Sequence, residues 1–245
     1  RSSKVGDTSE VLRLTAALAD SILGCMNWWG IVVSFAFVFA FIGAAQLLLR
    51  AGRISASVTR KIVHIGVAHW WLLAMVFFDR WEFAIVGPVA FIFINLASYL
   101  FGLFPAMEHE KRSRNLGTVY FPISLLICVL LTWAGPIPIW MGGLAILVLG
   151  WGDGLASLVG EQRARGTFRV FGNTKSVAGT ATMFAASLAV TVVFTIVFGG
   201  PVTLTTLAGS AILTALVATT VEVVTPFGLD NLTVPLSTLL FYTVL

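Results

Sequence analysis

Long apolar runs dominate the pattern of this chain. Residues 31–49 and 83–104 are interrupted only by isolated polar positions. A helix crossing a bilayer needs about 20 apolar residues in succession, whereas a membrane-barrel strand alternates apolar and polar positions over about ten. The runs here are continuous, so they predict helices. Eight such segments are read, over residues 26–49, 58–78, 82–104, 118–134, 137–159, 175–198, 204–224 and 231–245. The last is short enough to be re-entrant. The predicted fold is all-α, a polytopic transmembrane helical bundle of seven to eight membrane helices. Residues 1–22 read as an N-terminal tail with an interfacial helix, and residues 23–245 as a single transmembrane domain.

Composition sharpens this picture. Only 11% of residues are charged and 58% are hydrophobic, against about 25% charged in ordinary globular domains. No soluble chain of this size could hide so much apolar surface in one core. A soluble enzyme, a disordered protein and a disulfide-built secreted domain are excluded. Cys25 and Cys128 lie far apart in apolar surroundings, without metal or redox spacing, and read as packing residues.

Charge then gives an orientation. The connections 50–61, 105–117 and 161–175 hold 11 of the 15 Lys and Arg residues, whereas 79–81, 135–136 and 199–203 hold almost none. Basic loops stay cytoplasmic. The second, fourth, sixth and eighth segments therefore start at the cytoplasmic face.

Polar residues inside membrane segments are costly and tend to carry function. Here they gather at the basic-loop end. Arg60, Lys61 and His64 open the second segment; Arg114, Asn115 and Thr118 open the fourth. Asp153 and Glu222 lie near the ends of the fifth and seventh, and Lys175, Ser176, Asp230 and Asn231 open the sixth and eighth. Four helix N-termini at this face add partial positive charge and unpaired N–H groups. The result is an electropositive basin suited to a phosphorylated ligand. Positive-inside topology alone explains the cations but not the buried carboxylates beside them.

Three local arrangements follow. Gly150, Asp153, Gly154 and Ser157 share one helix face, small enough for backbone or ligand to approach, and the carboxylate there suits Mg²⁺ on a substrate phosphate. Thr174 is expected to cap the sixth helix, which would put Lys175 and Ser176 in its first turn. Arg60, Lys61 and His64 share a face, and the Pro226–Gly228 turn should return Asp230 and Asn231 toward Glu222. His69 and His109 have weaker cases.

The motifs recur in a recognisable order. They are Thr59-Arg60-Lys61-Ile62-Val63-His64, Arg114 with Gly117-Thr118-Val119-Tyr120-Phe121, and Gly152-Asp153-Gly154-Leu155-Ala156 with Gly160. Next come Asn173-Thr174-Lys175-Ser176-Val177-Ala178-Gly179, then Val221-Glu222 and Asp230-Asn231-Leu232-Thr233-Val234-Pro235-Leu236. Over residues 55–240 the chain resembles the phytol kinase and dolichol kinase family of membrane lipid kinases, most closely the phytol kinase branch. The resemblance implies a CTP-dependent kinase acting on a long-chain isoprenoid alcohol such as phytol. It would sit among the lipids of a bacterial inner membrane or of a plastid or other organelle, and bind no nucleic acid. It implies catalytic roles for Asp153, Lys175, His64 and Glu222, and Mg²⁺ ligands in Asp153, Asp230 and Glu222. Nucleotide and phosphate contacts would come from Arg60, Lys61, Arg114, Gly152, Gly154, Asn173, Thr174, Ser176, Gly179 and Asn231. Many relatives carry Glu where this chain has Ala178, so another acid must take any role of that residue.

Two further expectations complete the reading. The alcohol chain would lie in a groove between helices, with Trp70, Trp71, Phe77 and Phe78 as candidate lining. A membrane CTP:lipid cytidylyltransferase would use the same basin, and a lipid or ion transporter would use buried acids without nucleotide turnover.

Overall fold

The computed structural model describes residues 8–101, 116–162 and 166–245. Helix α1 runs unbroken from Thr8 to Arg50. At 1.5 Å per residue its 43 residues span roughly 65 Å, so residues 8–22 continue the first apolar segment without a separate helix between. Then come α2 (Ala56–Ala68), α3 (Trp70–Phe77), α4 (Trp81–Ala84) and α5 (Val86–Phe101). Helix α6 (Gly117–Val129) passes into a π-helical turn at Leu130–Ala134, and α7 covers Ile139–Gln162. A small hairpin of β1 (Thr167–Val170) and β2 (Asn173–Ser176) precedes α8 (Val177–Phe198), α9 (Leu204–Val224) and α10 (Asp230–Tyr242).

The all-α expectation is met, with six helices among the described residues long and apolar enough to cross a membrane. The count of seven to eight rests on two segments that are shorter as helices. The stretch 58–78 divides at His69 into α2 and α3, and α10 has 13 residues. His69 sits at this joint with its backbone N–H on Gly66 O, and its ring bonds Ile65 O through Nδ1 and accepts from Trp151 Nε1 through Nε2. That pairing requires the proton on Nδ1 and uses the imidazole structurally.

Helix α7 is the axis of the bundle. Every residue from Gly142 to Gly150 is buried, because α2, α3, α6, α8, α9 and α10 all pack around it. A helix apolar on all sides belongs in such a position. Trp71 fills the slot that Gly142 and Gly143 leave open, and its Nε1 donates to Ile139 O at 3.0 Å.

The hairpin was not expected, and it changes how α8 begins. Its two central residues, Phe171 and Gly172, have φ of 45° and 87°, the left-handed pair that a two-residue turn matching strand twist requires. Ser176, not Thr174, is the N-cap of α8, its Oγ accepting from Gly179 N at 3.0 Å. Lys175 and Ser176 therefore lie on a strand ahead of the helix.

Candidate active site

Asp153 is buried on α7 and meets α2 directly. Lys61 Nζ lies 3.5 Å and His64 Nε2 3.7 Å from Asp153 Oδ2. Ser157 Oγ is 3.5 Å from the other carboxylate oxygen. Glycines on α7 make this approach geometrically available. A Cβ on Gly150 would lie 2.4 Å from Ala68 Cβ, and one on Gly154 would lie 2.4 Å from Ile65 Cγ1. Helix α2 thus packs on Gly150 and Gly154, while Asp153 and Ser157 of the same face line a cavity. Gly152 faces the other way, where a Cβ would meet Met183 Sδ at 2.5 Å. The expected ligand contacts of Gly152 and Gly154 give way to packing roles.

The hairpin delivers the second cation. Along β2 Thr174 is exposed, Lys175 half-buried and Ser176 buried. Lys175 Nζ donates to Glu222 Oε1 and lies 3.9 Å from Asp230 Oδ2. Burial alone would lower the pKa of this ammonium, but Glu222, Asp230 and Asp153 together outweigh it and hold the value above the ordinary one. Asn173 ties the hairpin to the end of α9 by donating to Thr225 O at 3.4 Å.

The turn after α9 completes the acidic group. Phe227 and Gly228 take φ of 60° and 77°, reversing the chain so that α10 starts beside Glu222. Asn231 donates from both its backbone and side-chain nitrogens to Asp230 Oδ1, at 3.0 and 3.1 Å. This fixes the carboxylate that faces Lys175. One ligand oxygen each from Asp153, Glu222 and Asp230 then lie within 4.8 Å of one another. Three hard oxygen donors at this spacing fit Mg²⁺ chemistry, and a softer metal would prefer nitrogen or sulfur.

All of these side chains border one cavity of about 860 Å³. Arg60, Lys61, His64, Asp153, Lys175, Glu222, Asp230 and Asn231 line its polar end, together with Asn173, Thr174, Ser176 and Gly179. Its other arm is apolar, walled by Phe35, Val38 and Ile42 of α1, Phe91 of α5, and Phe121 and Leu125 of α6. Of the aromatics expected in a groove, Trp70 lines this arm. Trp71 is wholly buried against Gly142 and Gly143, and Phe78 packs on Gly30. Arg114 lies outside the described residues.

Several participants were not legible beforehand. Thr180, in the first turn of α8, lines the cavity with a buried hydroxyl that has no hydrogen-bond partner among the described residues. It matters because the helix end itself is largely committed. Val177 N donates to Gly166 O, and Gly179 N to Ser176 Oγ. Glu161 also lines the cavity and accepts from Ser57 Oγ. Asn95 also lines the cavity from α5. A buried polar residue in an apolar run is the one signal that could have found it.

A comparison with curated proteins bears directly on this arrangement. The chain is 37% identical over 219 residues to a phytol kinase from Synechocystis sp. (strain ATCC 27184 / PCC 6803 / Kazusa), covering 87% of this chain and 90% of the relative. It belongs to the phytol kinase family. No family model and no solved structure matches it. This member of the phytol kinase family thus joins a polar pocket of three acids and two lysines to an apolar arm between membrane helices. The first part can hold a cation and a polyphosphate, and the second can hold a hydrocarbon chain.

Proposed function

We propose that this chain is an integral-membrane lipid kinase that transfers the γ-phosphate of CTP to a long-chain isoprenoid alcohol of the phytol type, at the cytoplasmic face. The observation that carries the reading is the single cavity, charged at one end and apolar at the other. A kinase for a lipid alcohol must bring a water-borne triphosphate and a membrane-held hydroxyl together, and one two-part cavity does so. The family membership supports the acceptor class, and the basic loops support the face.

Phosphoryl transfer asks little covalent work of a protein; it needs in-line positioning and neutralisation of charge. Asp153, Glu222 and Asp230 would hold Mg²⁺, whose chemistry when bound is to offset phosphate charge. Lys175 would leave Glu222 for the β- and γ-phosphates, joined by the hydroxyl of Thr180. Lys61 and Arg60 add positive charge from α2. His64 stands within 3.7 Å of Asp153 and can take the alcohol proton as the new P–O bond forms and the bond from the γ-phosphorus to the β–γ bridging oxygen breaks, releasing CDP. The apolar arm keeps the hydrocarbon chain out of water while its oxygen reaches this end. With Ala178 unable to ionise, the acid chemistry rests on Asp153, Glu222 and Asp230.

The test is turnover by detergent-purified protein with Mg²⁺, CTP or ATP, and a panel of phytol, geranylgeraniol, farnesol, a polyprenol and diacylglycerol. CDP formed only when an isoprenoid alcohol is present supports the reading. ADP formed instead of CDP would replace the donor. Absence of turnover with either nucleotide would overturn it in favour of transport.

A further inference from the structure

Asn95 ends a stripe of α5 formed with Pro88 and Phe91, and all three line the cavity. The stripe is apolar until Asn95, which stands nearest the basic-loop end of the helix. Asn95 is only 6% exposed. Nδ2 donates to Thr118 O at 2.6 Å, tying α5 to the first turn of α6. A backbone carbonyl can only accept, so the amide is fixed with its NH₂ toward α6. Oδ1 is then left buried, with no hydrogen-bond partner among the described residues. Buried acceptors without partners are rare in folded proteins and call for an explanation.

The position supplies one. Phe121, one turn along α6 from Thr118, packs its ring 5.1 Å from that of His64, and His64 Nε2 is 3.7 Å from Asp153 Oδ2. Asn95 therefore stands at the junction where the apolar arm meets the charged end. We infer that Asn95 Oδ1 accepts the hydroxyl hydrogen bond of a lipid alcohol whose chain fills the arm. This rests on the lipid-kinase reading and deepens it. The contact holds the hydroxyl in the bound ground state; the single O–H turns from Asn95 to His64 as the oxygen lone pair attacks the phosphate. Asn95 is a substrate-binding residue here and not a base, because a neutral amide cannot take the proton. The chain alone gains affinity in the arm by burial; the Asn95 contact separates an alcohol from a hydrocarbon of the same shape.

The experiment is equilibrium displacement of tritiated phytol from detergent-solubilised protein by unlabelled phytol and by phytane, its hydrocarbon counterpart. Wild type should prefer phytol roughly tenfold, the size of one neutral hydrogen bond. In Asn95→Leu that preference should fall to near one, with phytane affinity and CTP affinity unchanged. Asn95→Ala serves if the leucine variant does not fold. A preference retained in the variants overturns the inference. So does an equal loss for phytol, phytane and CTP, which is what a purely structural tie between α5 and α6 would give. Wild-type turnover measured alongside separates the two levels, since a protein that turns over no alcohol removes the kinase reading itself.

Discussion

Lys61 Nζ on α2 lies 3.5 Å from Asp153 Oδ2 on α7, a contact between residues 92 positions apart in sequence. It exists because Gly150 and Gly154 let the two helices approach until side chains one turn away touch. Both partners are mostly buried, so each stabilises a charge that the membrane interior would otherwise penalise. The same Asp153 carboxylate lies close enough to Glu222 and Asp230 for one oxygen of each to fall within 4.8 Å of the others.

Asp153→Asn keeps the shape of this residue and removes its charge. The account expects turnover to fall by at least about 10²–10³-fold, the cost of losing one preorganised electrostatic element. Circular dichroism and size-exclusion elution should remain those of wild type. Activity at the wild-type level would remove Asp153 from the mechanism.

Lys175 separates carboxylates that would otherwise repel. Lys175→Met should destabilise the protein by about 3 kcal/mol, as expected for breaking a largely buried pair from one side. Adding Glu222→Gln should recover a measurable part of this in a double-mutant cycle read by thermal unfolding. The pH dependence follows from the raised pKa. A cation whose pKa rises on folding contributes fully below its unfolded value and loses that contribution only as pH climbs through the folded one. Both lie at or above 10.5. Lys175 itself therefore adds no pH dependence between about pH 7 and 9. Asp230, which burial raises to about 7 and Lys175 holds down, takes up a proton more readily in the variant, so the penalty of Lys175→Met should grow as pH rises through that range.

Cation binding should be visible without catalysis. Mg²⁺ with CTP should raise the thermal midpoint of the wild-type protein, because a ligand that binds only the folded state stabilises it. Glu222→Gln and Asp230→Asn should each need several-fold more Mg²⁺ for the same rise. Equal Mg²⁺ dependence in all three proteins would place the cation elsewhere.

How far the sequence revealed this site depends on which signal each residue carried. Asp153, Glu222, Asp230, Lys61 and Lys175 were legible because charge inside an apolar segment is costly and stands out. Their convergence was foreseeable from the basic-loop topology and the Pro226–Gly228 turn. The hairpin was not, because strands of four residues barely establish an alternation and Phe171 is not a usual residue for a left-handed turn position. Missing it moved the helix cap from Ser176 to Thr174. The glycines were misassigned for a related reason: a small face on a helix admits a ligand or another helix equally, and only α2 decides between them. Asn95 and Thr180 are neutral, so a lone polar position in an apolar run was the one weak signal, and it marks many ordinary residues of membrane helices as well.

Gly150 provides a test of that packing. Gly150→Leu should destabilise the bundle by about 1–3 kcal/mol through overpacking against Ala68. It should also lower kcat more than it raises the KM for CTP, since it moves Lys61 and His64 away from Asp153. Steady-state kinetics with a thermal unfolding measurement on the same sample checks both parts. Unchanged stability would contradict the close approach of α2 and α7.

The central claim is that one cavity passes the terminal phosphate of a nucleotide to a membrane alcohol. Its most direct test uses two samples of CTP, labelled with ³²P at either the γ- or the α-phosphate, incubated with purified protein, Mg²⁺ and phytol. The account predicts label in the lipid fraction from γ-labelled CTP and none from α-labelled CTP, with CDP as the other product. Lipid label from α-labelled CTP with release of pyrophosphate would contradict it and identify a cytidylyltransferase.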